Sequence, residues 1–319
     1  MKADGQPRCS RRAAGAAGCA VLATTLLILA GCGGRGAPHQ GSTPRGRSAT
    51  TTPDTSVIPI ATPPRATPRA PSYRAMAIRG APGLARLRRG LGSERFASVL
   101  KVNRVDLGHV RDGDTLVVPD SATMALDSTA RLLALSPFPR ALGPGHAEKK
   151  LLLVSLRVQA FAAYDSGALA RWGPTSTGRE TLQTPVGLYH TNWKDRVRTS
   201  TFNEEWLLEW YVNLQNFEGI SLHKFELPGR PASHSCVRLQ EDDAMWIYDW
   251  VEEWTLGKDP RVILRPGTPV VVFGQYAFHD RAPWKRLDAD STATTVTLDE
   301  VEEALELHLP RVRASGPAP

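Results

Sequence analysis

Two hydrophobic periods alternate along this chain, and the places where one gives way to the other mark its elements. Residues 151–158 are densely apolar and predict a buried strand, which 159–164 continue in rough alternation up to the turn residues Asp165-Ser166-Gly167. Shorter runs predict strands at 169–172, 187–193, 211–214, 220–223, 237–239, 262–264 and 270–273. Many short strands separated by turn signals argue for an antiparallel β-sandwich. A helical period interrupts once: over 241–254, Ile247, Trp250, Val251 and Trp254 recur on one face behind Asp242 and Asp243, which suit a helix N-terminus. That aromatic stripe reads as core. Upstream, Leu84, Leu87 and Leu91 fit one helix and Phe96, Val99 and Leu100 a second, with Ser93 as its expected cap. Asn103 and a loop follow, then Gly113-Asp114 turns into an apolar strand over 115–119 that 73–78 could partner. Downstream, Thr297 to Glu300 forms a capping-box pattern, and Leu298, Val301, Ala304 and Leu305 share a face of a short helix, docked or free, that Pro310 stops. The class expected is mainly β with some α.

The N-terminal part carries no such pattern. Arg8, Arg11 and Arg12 precede a small, apolar stretch from Ala13 to Ala30, which predicts an export signal over 1–31. Leu29-Ala30-Gly31-Cys32 resembles a bacterial lipobox, implying that Cys32 is lipidated and becomes the mature N-terminus. The protein would then sit at the cell envelope, on the periplasmic face and at the outer membrane where there is one. Residues 32–72 hold eight of the 25 prolines and almost no large apolar side chain, so they cannot offset their own ordering entropy and read as a linker. The remaining divisions are a small module at 73–120, a connector at 121–148 with a helix before Ser136-Pro137, a domain at 149–275 and a tail at 276–319. Helix, helix, Asn103 and Gly113-Asp114-Thr115-Leu116-Val117-Val118-Pro119 resemble the second half of a LysM repeat, which implies glycan strands as a partner.

Charge changes the picture once it is divided. The chain carries a formal +7, of which 1–31 contribute +3 and 32–80 contribute +6, leaving −2 for 81–319. The folded part is near neutral, and nucleic-acid binding loses its electrostatic support. The four cysteines are Cys9, Cys19, Cys32 and Cys236. Cleavage at Cys32 leaves Cys236 as the one free thiol, with no intrachain disulfide and no zinc spacing, so neither a metal nor a cofactor is implied.

Residues 220–239 gather the chemistry: His223 at the end of one strand, a Pro/Gly loop, then Ser233-His234-Ser235-Cys236 and Arg238 at the start of another. A thiol nucleophile needs an imidazole within reach and donors for the oxyanion. Two imidazoles qualify. His223 stands across the loop, and His234 is two residues away on what could be extended chain, facing the same way. The amides of Ser235 and Cys236 are candidate oxyanion donors, and the Ser235 hydroxyl adds a donor unless the turn demands positive φ, which Ser adopts at a cost. Arg238 suits either a substrate carboxylate or a salt bridge holding the loop. Ser233 is placed to order the loop, and Trp193 and Tyr189 to line a cleft.

Leu222-His223, the loop and Ser233-His234-Ser235-Cys236-Val237-Arg238-Leu239 resemble the signature of L,D-transpeptidases of the YkuD type. Ser176-Thr177-Gly178, Thr184-Pro185-Val186-Gly187-Leu188-Tyr189, Asp243-Ala244 and Gly267-Thr268-Pro269-Val270-Val271 extend the likeness over about 150–274. Ser235 stands where most members have Gly, Lys224 where Gly or Ser is common, and the loop is shorter than in many. The resemblance implies the family's β-sandwich catalytic fold, Cys236 as nucleophile, His223 as base and His234 as a pocket residue. It also implies attack on the L-centre of diaminopimelate in peptidoglycan stem peptides, release of D-Ala, and transfer to an amine as 3-3 crosslinks or protein attachment. Two alternatives stand beside it: an L,D-carboxypeptidase or amidase that hydrolyses the same linkage, and an inactive wall-binding lipoprotein.

Overall fold

The computed structural model describes residues 70–143 and 149–308; Cys32 and the expected export signal lie outside them. Strand β1 (Tyr73–Ala77) pairs antiparallel with β2 (Thr115–Pro119), and helices α1 (Gly80–Leu91) and α2 (Ser93–Val102) lie between them in sequence. Leu87, Phe96, Val99, Leu100, Leu116 and Val118 form a small core of their own. Ser93 does not cap α2. Gly92 takes that place with φ 76°, its N–H closing α1 on the Arg88 carbonyl, and Gly alone adopts this angle without a Cβ penalty. The expected connector holds two helices, α3 (Ser121–Ala125) and α4 (Ser128–Ala134), each capped by an aspartate side chain: Asp120 accepts from Thr123 N–H and Asp127 from Ala130 N–H.

A nine-stranded sheet carries the rest. Its strands are β3 (Lys150–Ser155), β4 (Ala160–Asp165), β5 (Ala168–Ser176), β6 (Gly187–His190), β7 (Lys194–Thr199), β8 (Leu207–Gln215), β9 (Ile220–Lys224), β10 (Val237–Leu239) and β13 (Pro269–Phe273). They lie in the order β6-β13-β3-β4-β5-β10-β9-β8-β7. Most neighbours are antiparallel, as expected, but β13–β3 and β9–β10 run parallel. The two packed layers of the expected sandwich are therefore parts of one continuous, mixed sheet. Between β10 and β13 come helix α5 (Glu241–Trp250) and a hairpin of β11 (Thr255–Leu256) and β12 (Ile263–Arg265).

The apolar run of β3 is dense because both faces of the strand are covered. Leu151 and Leu153 pack with Val102, Val117, Trp172, Trp284, Val301 and Leu305, where the N-terminal module and the tail meet the sheet. Leu152 and Val154 pack with Val212, Leu222, Val237, Ala244 and Ile247, under α5 and the β8–β9 side. Helix α6 (Leu298–Glu306) is docked through Val301 and Leu305, with Thr297 Oγ1 accepting from Glu300 N–H as the capping pattern requires.

Two expectations are corrected by the chain's path, and one strand is new. The run 151–164 is two strands, reversing at 156–159, where Gln159 holds φ 48°. Its side-chain amide donates to Leu156 O and Thr177 Oγ1 and accepts from Thr177 N–H, so a buried Gln makes the turn that Gly usually makes. Strand β7 is polar and was not foreseen; it lies at the sheet edge, where both charge and exposure are tolerated. Helix α5 stops at Trp250 because Val251 turns extended (ψ 151°), and Trp254 N–H bonds Asn192 O instead.

Candidate active site

Parallel pairing of β9 with β10 sets Val237 opposite Leu222 and Arg238 opposite His223, so Cys236 enters the sheet beside Ser221. Alternation puts Ser221 and His223 on one face of β9, and Cys236 and Arg238 together on the neighbouring strand. The Ser221 Oγ to Cys236 Sγ distance of 3.2 Å shows that the two pairs share that face. Cys236, His223 and Arg238 all line a cleft of about 700 Å³, its mouth included, walled by Trp193, Arg198, Phe202, Trp206, Tyr211 and Phe225.

His223 is buried, and its Nδ1 lies 2.9 Å from the Lys224 carbonyl. A carbonyl only accepts, so Nδ1 carries the proton and Nε2 presents a lone pair. Tyr211 stacks beside the ring at 6.5 Å and Phe225 meets it edge-on at 5.8 Å. Burial pushes the imidazole down to about 4; the Lys224 carbonyl opposes this and Arg238 adds to it. Lys224 contributes its carbonyl alone. Its side chain pairs across the strands with Glu209, so the departure from Gly or Ser leaves the site unchanged.

Cys236 is the free cysteine of the described residues and is half-buried. Burial raises its pKa, against the hydroxyl and amide of Ser221 and the charge of Arg238, all of which favour the thiolate. The resting thiol points its proton at the Gly219 carbonyl, 3.3 Å away. Ser221 was not foreseen as part of the site. The signal was its place two residues before His223 on a strand, which fixes its face.

The remaining expected residues divide. Ser235 holds φ 79°, so the turn into β10 does demand the left-handed region, at a cost to a non-Gly residue of about 1–2 kcal/mol. Its hydroxyl donates to Leu182 O at 3.2 Å and its carbonyl accepts from Thr184 Oγ1 at 2.8 Å. The side chain is therefore engaged with the 182–184 turn and does not line the cleft. Ser233 is buried, and its hydroxyl donates to the Cys236 carbonyl, ordering the loop as expected. His234 lines the cleft, but its ring contacts are Phe202 at 4.8 Å and Trp206 at 5.7 Å. Burial, Arg179 and Arg238 lower its pKa. Arg238 lies 4.4 Å over the Phe225 ring. Among the described residues no carboxylate comes within 4.0 Å of it, and burial lowers its pKa against the opposing charge of Glu226 in the loop. Trp193 lines the cleft, whereas Tyr189 turns its hydroxyl to Pro185 O and packs in the core. Gly178 is explained by space: a Cβ there would lie 2.1 Å from Leu182 O.

Residues 149–272 match the family model of the YkuD L,D-transpeptidase catalytic domain. No curated protein sequence matches the chain. Among solved structures, it is similar to an L,D-transpeptidase from Mycobacterium smegmatis at 20% identity and TM-score 0.32, over 40% of this chain and 59% of that one. It is also similar to one from Stackebrandtia nassauensis, at 22% identity and TM-score 0.35, over 47% and 66%. A third is L,D-transpeptidase 3 from Mycobacterium tuberculosis in complex with a faropenem-derived adduct, at 20% identity and TM-score 0.31, over 40% and 60%. The chain spans less than two thirds of the length of these relatives.

Proposed function

We propose that the protein, whose residues 149–272 match the L,D-transpeptidase catalytic-domain model, is a peptidoglycan L,D-transpeptidase acting through a thioester on Cys236. The observation that carries this is the convergence of Cys236 and His223 on one cleft from adjacent parallel strands, with the Lys224 carbonyl holding the proton on Nδ1. His223 Nε2 takes the thiol proton as the sulfur attacks the stem-peptide carbonyl. The amides of Ser235 and Cys236 face the resulting oxyanion. The tetrahedral adduct then expels D-Ala, which receives the proton from His223 and leaves a thioester. An amine attacks the thioester, His223 accepts its proton and returns it to the departing Cys236 sulfur, and the product is a crosslinked or protein-bound stem. Arg238 meets a carboxylate of the donor stem. The N-terminal module, LysM-like in its order of elements, binds glycan strands, and a lipidated Cys32 holds the protein to the membrane at the envelope.

Intact-mass spectrometry of the soluble protein with disaccharide tetrapeptides tests the reading. The wild type is expected to gain a thioester, release D-Ala and produce 3-3 dimers, and Cys236→Ala to do none of these. A carbapenem should acylate the wild type at Cys236. Tripeptide monomers without dimers would replace transfer by hydrolysis. An unmodified wild-type mass after long exposure to both reagents would sink the assignment.

A further inference from the structure

The connection from His223 to Cys236 is irregular throughout, although the geometry of the cleft depends on it. Because β9 and β10 are parallel, residues 225–236 must cross over, and their backbone groups need partners outside the ladder. The second half of the connection is held from within the sheet domain. Ser176 Oγ donates to Arg230 O at 2.7 Å, and the N–H groups of Ala232 and Ser233 both donate to Thr177 O at 3.0 Å.

Past Phe225, whose N–H donates to Leu239 O in β10 at 3.1 Å, the first half is held by the N-terminal module. Asp106 N–H donates to Leu227 O at 3.0 Å, and Leu227 N–H returns a bond to Asp106 Oδ2 at 2.8 Å. Gly229 N–H donates to Arg104 O at 3.1 Å, and Val105 bridges Pro228. The other oxygen of Asp106 meets His109 Nδ1 at 2.7 Å, and His109 Nε2 lies 3.6 Å from Glu226. Arg104 anchors this segment in turn. It is buried at φ 57°, donates to the carbonyls of Val158, Lys101 and Val102, and lies over the rings of Trp172 and Trp284. A second tie joins Lys101 to the buried Asp243 at 2.6 Å.

We propose that Asp106 is a positioning residue of the active site, and that the N-terminal module is thereby a working part of the catalytic centre. Asp106 fixes Leu227, two residues after Phe225, and so sets, together with the bond from Phe225 N–H to Leu239 O at 3.1 Å, where the Phe225 ring packs against both His223 and Arg238. The proposal rests on the function above only for the naming of base and nucleophile.

The test is the pH profile of iodoacetamide alkylation in the full chain, localised to Cys236 by peptide mass, which reads the sulfur and its base without needing any peptide substrate. Asp106→Ala should slow alkylation at neutral pH by on the order of tenfold and move the profile toward that of an isolated thiol. Asp106→Asn keeps an acceptor for Leu227 N–H and should restore the wild-type profile. Asp106→Glu displaces the acceptor by one methylene, should shift the profile the same way as alanine, and serves if the alanine variant does not fold. Asp120→Ala, which removes the cap of α3 and the tie to Ser72 in the same module, should lower the melting temperature and leave the profile alone. A wild-type profile in every folded Asp106 variant would overturn the proposal, as would an equal shift in Asp120→Ala. If wild-type protein alkylates normally and forms no thioester with stem peptide, the transpeptidase reading fails, while Asp106 is still judged on the profile.

Discussion

At the residue scale, burial decides the protonation of the site. His223 and Cys236 are both pushed toward their neutral forms, so the resting state is imidazole and thiol, and the ion pair forms as the sulfur reacts. An unfolded chain titrates His223 near 6.5 and the folded one near 4, so in this window the unfolded state binds more protons. Stability therefore rises with pH from about 4 to 6.5 by roughly 3 kcal/mol in all, and is lost as pH falls back through it. Urea unfolding at pH 4.5 and 6.5 should show a steeper rise in the wild type than in His223→Gln, which keeps the contributions of His190 and His234. The acid limb of thioester formation should likewise fall nearer pH 4 than 6.5. The residues read from the sequence include Cys236, His223, Ser233 and Arg238, whose types announce their chemistry. Ser221, Arg198 and Phe225 were not legible, since a serine, an arginine or a phenylalanine on a strand has many uses until a neighbouring strand gives it a partner.

At the element scale, the turn into β10 shows how a departure from a motif is absorbed. Ser235 bears the strain of φ 79° and offsets part of it through its hydroxyl bond to Leu182 O. Ser235→Gly should thus change stability by no more than about 1 kcal/mol in either direction, with thioester formation retained. Ser235→Val should cost at least about 2 kcal/mol, because a β-branched side chain tolerates this region poorly and the bond is lost as well. Chemical denaturation of the three proteins measures both differences; a valine variant as stable as the wild type would remove strain from the account. Strand positions were legible where apolar residues alternate, as in β9 and β10, or run together, as in β13. The hairpin at 156–159 was not, because Gln159 replaces the usual turn residue and draws its support from Thr177, far along the chain.

At the scale of the molecule, the module that the sequence sets apart is joined to the sheet. Val102 and Val117 belong to the same core as Leu151, Trp172 and Trp284, and the described residues fall within one compact unit. Calorimetry should accordingly give a single transition for residues 70–319, with calorimetric and van't Hoff enthalpies in agreement; two separable transitions would mean an independent module. Among the described residues no helix is long and apolar enough to cross a membrane. By itself the sequence determined the strand-rich class, the βααβ order of the N-terminal part, the amphipathic helix near the C-terminus and a candidate thiol with two candidate imidazoles. Those follow from periodicity and side-chain chemistry, which are local. Only the tertiary structure decided that β9 and β10 run parallel, that Ser221 meets the sulfur, that burial disfavours a charged His223, and that Asp106 reaches the loop between His223 and Cys236. Each of these depends on which distant backbone groups satisfy one another, and no local pattern records that.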